Sequence, residues 1–255
     1  MGLGALVETT PISIPNRRPT IDVLLATYNG ASFLRDQIDS IYSQSLKPDR
    51  LLVRDDLSTD GTITLLEELH AQYPDWLILL PSDRRLGCNH NFETLLRNSQ
   101  ADYIALADQD DIWKPDKLKT LMELMHGLEQ THGPNHPILV HSDLALIDES
   151  DQQIADSFMH YQHLDPTRTS VDDLVLQNIV TGCALLFNSS LLDQLLPFPA
   201  AIIQHDWWIA LIAARLGTIG YEPRPLVLYR QHAHNVIGAR GLGMASIVNR
   251  LKKLV

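Results

Sequence analysis

A chain of 255 residues, 45% hydrophobic and 20% charged, has the makeup of a globular protein with one large α/β domain or two small ones. A formal net charge of -11 argues against broad nucleic-acid binding, which sets Lys and Arg against phosphates, but leaves room for a small phosphorylated ligand held by a metal ion and a few basic residues. The two cysteines, Cys88 and Cys183, form no CxxC pair, so neither a zinc knuckle nor a redox motif is indicated, and buried thiols in a reducing compartment are expected.

In chain order, MGLGALVETTPISIPNRRPT has neither the charged start nor the long apolar region of a secretory signal, and residues 1–19 read as a loose leader. No apolar run approaches the length of a membrane span, so a cytoplasmic location is expected. Ile21 to Thr27 is a continuous apolar run with β-branched members, the pattern of a strand covered on both faces. Asn29-Gly30 turns the chain, and Leu34, Ile38, Ile41 and Tyr42 recur at helical spacing. Arg50 to Arg54 is a second strand, ending in Asp55-Asp56; Ser58, Thr59 and Asp60 offer helix caps before ITLLEELHAQ. Trp76 to Leu80 is a third strand, Phe92, Leu95 and Leu96 mark a third helix, and Tyr103 to Ala107 is a fourth strand. Pro115 suits the first turn of the helix after it. Further on, Leu139 to Ile147 and Val180 to Asn188 read as strands, with a turn at DESDQ. Trp207 to Leu216 reads as a helix, and Leu226 to Tyr229 as a short strand.

Four alternations of strand and helix predict a mostly parallel, Rossmann-like sheet flanked by helices. Ligands of such sheets bind outside the carboxyl ends of the strands. Here those ends carry Thr27, Tyr28 and Asn29, then Asp55 and Asp56, then Asp108 to Asp111, with no glycine-rich phosphate cradle among them. Carboxylates as close as Asp108 and Asp110 repel unless a cation neutralises them, and hard oxygen ligands suit Mg²⁺ or Mn²⁺. The alternative is a turn whose aspartates cap a helix, a reading that weighs equally for Asp111. An EF-hand loop is excluded, since Trp113 stands where that loop needs glycine and Lys119 where it needs glutamate.

The segments ATYNG, RDDLSTDGT, ADQDDIW, HDWW and YRQHAHN, in that order, resemble family 2 glycosyltransferases of the GT-A fold, above all bacterial rhamnosyltransferase-type and O-antigen or capsule enzymes. The resemblance runs from Thr20 to Gly238. It implies one domain over 20–238, with 20–118 as the nucleotide-sugar half and 119–238 as a smaller acceptor-side half, followed by a basic amphipathic tail over 239–255. It also implies transfer of one sugar, with inversion, from a nucleotide diphosphate sugar to a hydroxyl of a saccharide or lipid-linked saccharide. Subgroup likeness points to dTDP-rhamnose as donor.

By the same resemblance Asp110 binds Mn²⁺ or Mg²⁺ with His232, and Asp108 contacts the ribose or the metal shell. Thr27, Tyr28, Asn29 and Gln109, with Asp55 or Asp56, hold the nucleoside. An imidazole ligand tilts the choice toward Mn²⁺. Arg230 adds a donor to the diphosphate, as Arg84 and Arg85 would if they reach it. Asp206 is the general base that takes the proton of the acceptor hydroxyl, unless it only caps a helix beginning at Trp207. His205, Trp207 and Trp208 line the acceptor side, with one tryptophan packed and the other free to stack on a sugar. Asn91 and Phe92 lie near the donor pocket, with Phe92 read as core. His141, Ser142 and Asp143 border the sugar pocket. The basic segment around Arg250, Lys252 and Lys253 is a candidate for peripheral contact with anionic lipid.

The chain departs from the family where the loop usually reads DDGSTDGT. Leu57 replaces a glycine, and leucine at positive φ is unfavourable, so a different loop path is expected. The QxxRW motif of processive synthases is absent, which implies addition of one residue at a time. Two other classes compete: a haloacid-dehalogenase-type phosphatase, whose DxD stands on the first strand, and a nucleotide-sugar-binding module without catalysis.

Overall fold

The structure, a computed structural model, describes residues 17–232. The expected leader is thus largely outside the described residues, and the tail with Arg250, Lys252 and Lys253 is wholly so. Among the described residues nine strands form one sheet: β1 (Ile21–Thr27), β2 (Arg50–Asp55), β3 (Leu77–Leu79), β4 (Tyr103–Ala107), β5 (Ile112–Trp113), β6 (Ile138–Ile147), β7 (Gln153–Ala155), β8 (Leu185–Asn188) and β9 (Thr218–Arg230). Their order is β3-β2-β1-β4-β8-β6-β9-β5, with β7 beside β6. The sheet is mostly parallel. β1–β2, β1–β4, β2–β3 and the long β6–β9 pair are parallel, whereas each antiparallel pair spans only two or three residues.

Helices cover both faces because the strands present apolar side chains alternately to each. Val23 and Leu25 of β1 enter a core shared with α1 (Leu34–Tyr42), α2 (Thr62–Gln72) and α4 (Lys117–His132). Leu24 enters the opposite core, shared with α3 (Gly87–Asn98), α7 (Ser189–Leu195) and α8 (His205–Leu216). Such double coverage is why the strand reads as an unbroken apolar run. Two short helices, α5 (Phe158–Tyr161) and α6 (Val171–Leu176), escape sequence periodicity. Their caps explain them: Ser157 accepts from the amide of His160, and Ser170 from that of Asp173.

The structure corrects four expectations. The third strand is shorter than read, Leu77–Leu79. Pro115 precedes α4 instead of entering it, because β5 intervenes and pairs with β9 before Asp116 takes the cap position. The stretch from Val180 becomes strand only at Leu185, after a 3-10 turn over Gly182–Ala184. The short last strand is the end of a longer one, β9, which carries Pro223 and Pro225. Two register shifts at Ser142/Asp143 and Asp143/Leu144 bulge the ladder there, leaving Pro223 out of the register while Pro225 stands opposite Asp143.

Candidate functional site

The parallel half brings the carboxyl ends of β1, β2 and β4 to one edge, as the strand alternation predicts. Thr27 and Asp55 are register partners, and Thr27 Oγ1 donates to Asp55 at 2.8 Å. Asp55 also accepts from the backbone and hydroxyl of Ser58 at 2.7 and 2.5 Å. Asn29, at φ 51°, accepts from the Thr59 amide, and its own amide donates to Ser58 Oγ, each at 2.8 Å. These bonds stitch the β1 and β2 loops together and hold Leu57 at φ 61°. The expectation that leucine diverts this loop is therefore corrected: the loop keeps the left-handed turn.

The two neighbouring aspartates separate by role. Asp56 is buried and accepts from the amides of Leu86 and Gly87 at 2.6 and 2.9 Å, tying β2 to the start of α3. Asp55 stays at the site edge beside Thr27. Asn91 is also structural, since its amide both accepts from the Arg54 guanidinium at 2.9 Å and donates to the Arg54 carbonyl at 3.0 Å. Tyr28 is exposed, with the Arg85 guanidinium 3.9 Å from its ring centroid. Gln109 grips the backbone of Tyr28 at both ends, accepting from its amide at 2.8 Å and donating to its carbonyl at 3.0 Å. A Cβ on Gly30 would fall 2.3 Å from Gln109 Oε1, so a larger residue there would displace the Gln109 amide from its clamp.

In the acid loop after β4, Asp110 and His232 come together, with His232 Nε2 2.7 Å from an Asp110 oxygen. The Asp108 carbonyl accepts from the buried Gln37 amide at 2.8 Å. Burial first, and the Asp110 charge second, push the Asp108 carboxyl up to about 7. Asp111 points inward and is fully buried. One oxygen accepts from the Arg230 amide at 3.0 Å, and the other has no hydrogen-bond partner. One oxygen each of Asp108 and Asp111 and the Cys183 sulfur lie within 4.8 Å of one another, an Asp-rich cluster among the described residues with the geometry to hold a metal.

That cluster already faces a cation that sequence reasoning missed. Lys117 is fully buried, donates to the Cys183 carbonyl at 2.5 Å and sits 3.2 Å from the Trp113 ring centroid. Burial lowers it to about 7, while the Asp111 and Asp108 charges oppose that fall. Its signal was its spacing: it stands four residues before Leu121, on the same helical face as a buried core residue. A lysine in that interior, together with a neutral thiol, makes the Asp108/Asp111/Cys183 group a poor metal centre. The Asp110–His232 pair, with side chains 13% and 8% exposed, sets a hard oxygen beside an imidazole.

Other expected roles change. Arg230 is 1% exposed, and its guanidinium bonds the carbonyls of Asp110 and Asp148 at 2.9 and 3.2 Å and the Asp151 carboxylate, so it braces the acid loop instead of reaching out for a diphosphate. His205 does not line an open acceptor site: it is buried, stacked on Phe92 with centroids 4.0 Å apart, and burial pushes it down to about 3. Trp207 and Trp208 are both half-buried anchors, donating to the carbonyls of Leu174 at 2.6 Å and Leu195 at 3.1 Å. His141, Ser142 and Asp143 lie inside β6. Asp143 fastens α5 by accepting from the Met159 amide at 3.1 Å and the Ser157 hydroxyl.

Asp206 lies in the first turn of α8, which starts at His205 with Gln204 as cap, so the cap expected before Trp207 is not its position. Its carboxylate accepts from Trp207 N at 2.6 Å and Gly182 N at 3.1 Å. Burial raises it to about 6, and its charge is felt at Asp108. A carboxylate so tuned can take a proton near neutral pH.

The mostly parallel sheet with polar residues at the ends of β1, β2 and β4 is an α/β fold similar to that of GT-A glycosyltransferase structures. The family model for glycosyl transferase family 2 matches residues 22–191, and the chain belongs to that family. It is 29% identical over 222 residues to the dTDP-rhamnosyl transferase RfbG of Shigella flexneri, covering 84% of this chain and 74% of that protein. It is 26% identical over 250 residues to the uncharacterized protein Rv1520 of Mycobacterium tuberculosis, covering 92% and 68%. Among solved structures it resembles the mannosyltransferase PcManGT of Pyrobaculum calidifontis in complex with GDP-Man and Mn²⁺, at a TM-score of 0.61 and 21% identity, covering 87% of this chain and 59% of that one. It likewise resembles S. aureus TarS in complex with UDP-GlcNAc, at a TM-score of 0.62 and 13% identity, covering 85% and 60%. This chain thus spans about 60% of the solved chains it matches. Family membership displaces the phosphatase reading. Among the described residues no helix is long and apolar enough to cross a membrane.

Proposed function

We propose that this chain is an inverting glycosyltransferase that moves one sugar from a nucleotide diphosphate sugar, with dTDP-rhamnose first among donors, to a hydroxyl of a saccharide or lipid-linked saccharide. The observation that carries this is Asp206: a carboxylate raised to about 6, held by two backbone amides, electrostatically in reach of the acid loop. In this reading Asp206 accepts the proton of the attacking hydroxyl as the new glycosidic bond forms and the bond to the diphosphate breaks, in one displacement. Thr27, Asp55 and the Gln109-clamped backbone of Tyr28 form the nucleoside seat, and Asn29 shapes its rim. Arg85, stacked on Tyr28, reaches toward the diphosphate. Asp110 and His232 would hold Mn²⁺ or Mg²⁺, with Asp108 behind them. When bound, the ion acts as a Lewis acid on the charge that grows on the leaving diphosphate. The dTDP preference follows from the similarity to RfbG, whose name states that donor.

The test is calorimetric binding of UDP, dTDP and GDP with Mn²⁺, with Mg²⁺ and with chelator, on the native chain and on Asp110→Asn and His232→Ala. One nucleotide is expected to bind in a metal-dependent way, with affinity lost in both variants. Turnover of the matching donor is then expected to vanish in Asp206→Asn while nucleotide binding persists. Metal-dependent binding with no transfer to any saccharide or to water would favour the non-catalytic module.

A further inference from the structure

The acid loop and Asp206 stand on different elements, yet one short turn touches both. It is Gly182–Ala184, just before β8. On one side Lys117 Nζ donates to the Cys183 carbonyl at 2.5 Å, and the Cys183 sulfur lies within 4.8 Å of oxygens of Asp108 and Asp111. On the other, Gly182 N donates to Asp206 at 3.1 Å. The turn has little room to shift: a Cβ on Gly182 would lie 2.9 Å from His205 Nε2 and 3.5 Å from Asp206 Cβ. Lys117 is fixed too, as the first residue of α4, fully buried and seated on the Trp113 ring. At 0% exposure it is no ligand for a substrate phosphate. A buried ammonium persists only with acceptors and anions around it, and removing one partner of such a set strands the rest.

We propose that Lys117 is a positioning residue for transfer: from beneath the acid loop it grips the Cys183 carbonyl and thereby fixes the turn whose Gly182 amide aims the Asp206 carboxylate. The inference rests on Asp206 being the base, as proposed above. It assigns the compensation of the inward acids to a protein cation, apart from the Asp110–His232 pair.

Lys117→Met alone would leave buried carboxylates without their cation. The informative variant is Lys117→Met with Asp111→Asn, which removes one charge of each sign at similar volume, measured against Asp111→Asn alone. The donors tried are dTDP-rhamnose, UDP-GlcNAc and GDP-mannose, and kinetics use whichever the native chain turns over, read as release of the nucleoside diphosphate. Expected is a fall in kcat on the order of 10- to 100-fold from misaimed geometry, with donor KM and Mn²⁺-dependent nucleotide affinity within about twofold. Gly182→Ala, which shifts the same turn and leaves Lys117 in place, is expected to give the same kcat-selective loss, and it serves if the double variant does not fold. Undiminished kcat in either folded variant, or affinity lost in step with kcat, overturns the inference. Asp206→Asn is run alongside. If it retains transfer, the base assignment itself fails; if it loses transfer while the double variant does not, only the role of Lys117 fails.

Discussion

Asp206 would be too weak a base at its ordinary pKa, and burial lifts it to about 6. It accepts a proton only when ionised, so kcat/KM is expected to rise with pH through about 6 and level off above, with a slope near one decade per unit on the acid side. A pH–rate profile without that limb would sink the assignment. The sign for stability is opposite. The folded state keeps a proton that the unfolded chain releases near pH 4, so this group's contribution falls as pH climbs from about 4 to 6 and changes no further above. Leu57 is a second residue-scale case. At φ 61° it sits where a side chain costs about 1–2 kcal/mol. Leu57→Gly is expected to leave stability within about 1 kcal/mol, relief of strain offsetting the looser unfolded chain, while Leu57→Val loses on the order of 1 kcal/mol or more. Denaturant midpoints decide it. Motif order singles out Asp110, His232 and Asp206 as candidates without any geometry, and it singles out Asp56 and Arg230 too, but not the buried partners that occupy those two. Lys117 was not singled out at all, because a lysine in KPDKLK looks the same whether solvated or interior.

At the scale of elements, the site depends on loops joined by side-chain hydrogen bonds and on the space that a glycine leaves for one of them. Gly30 leaves the space that the Gln109 amide fills when it clamps Tyr28. Gly30→Ala is expected to keep the fold, because a flexible side chain can yield, yet to weaken nucleotide binding in calorimetry by displacing the clamp. Unchanged affinity would show that the clamp does not shape the nucleoside seat. Gly217, between α8 and β9, faces backbone instead: a Cβ there would lie 2.0 Å from the Pro137 carbonyl oxygen. Nothing flexible can give way, so Gly217→Ala is expected to cost about 1–3 kcal/mol or more, read as a lowered Tm. The elements legible in sequence were those whose periodicity serves a covered face: β1 to β4 with α1 to α3, then α4, β6 and α8. Those missed were set by other forces: α5 and α6 by serine caps, β5 by pairing with a distant strand, and the early part of β9 by a bulge that admits prolines.

At the scale of the molecule, residues 20–118 and the rest of the described chain do not own separate cores. One cluster joins Val23, Leu25 and Val53 to Val140, Leu186 and Val227; the other joins Leu24, Phe92 and Leu106 to Phe187, Ile209 and Ala213. Among the described residues the sheet crosses between the halves only at β4–β8, three residues long, and β5–β9, two residues long, so the ladder contributes little there and side-chain packing across both faces holds the halves together. Each such buried side chain is worth about 1.5–3 kcal/mol, and a whole domain is stable by only about 5–15 kcal/mol. Losing a handful of cross-half contacts therefore exceeds the stability of either part. The chain is expected to melt in one calorimetric transition with calorimetric and van't Hoff enthalpies in agreement. A fragment ending at residue 118 is expected to show no dispersed amide spectrum, because it would expose the β4 edge and leave Lys117 without the Cys183 carbonyl. Two resolved transitions, or a folded fragment, would show the halves to be independent and would put the aim of Asp206 at a mobile boundary instead of inside a rigid unit.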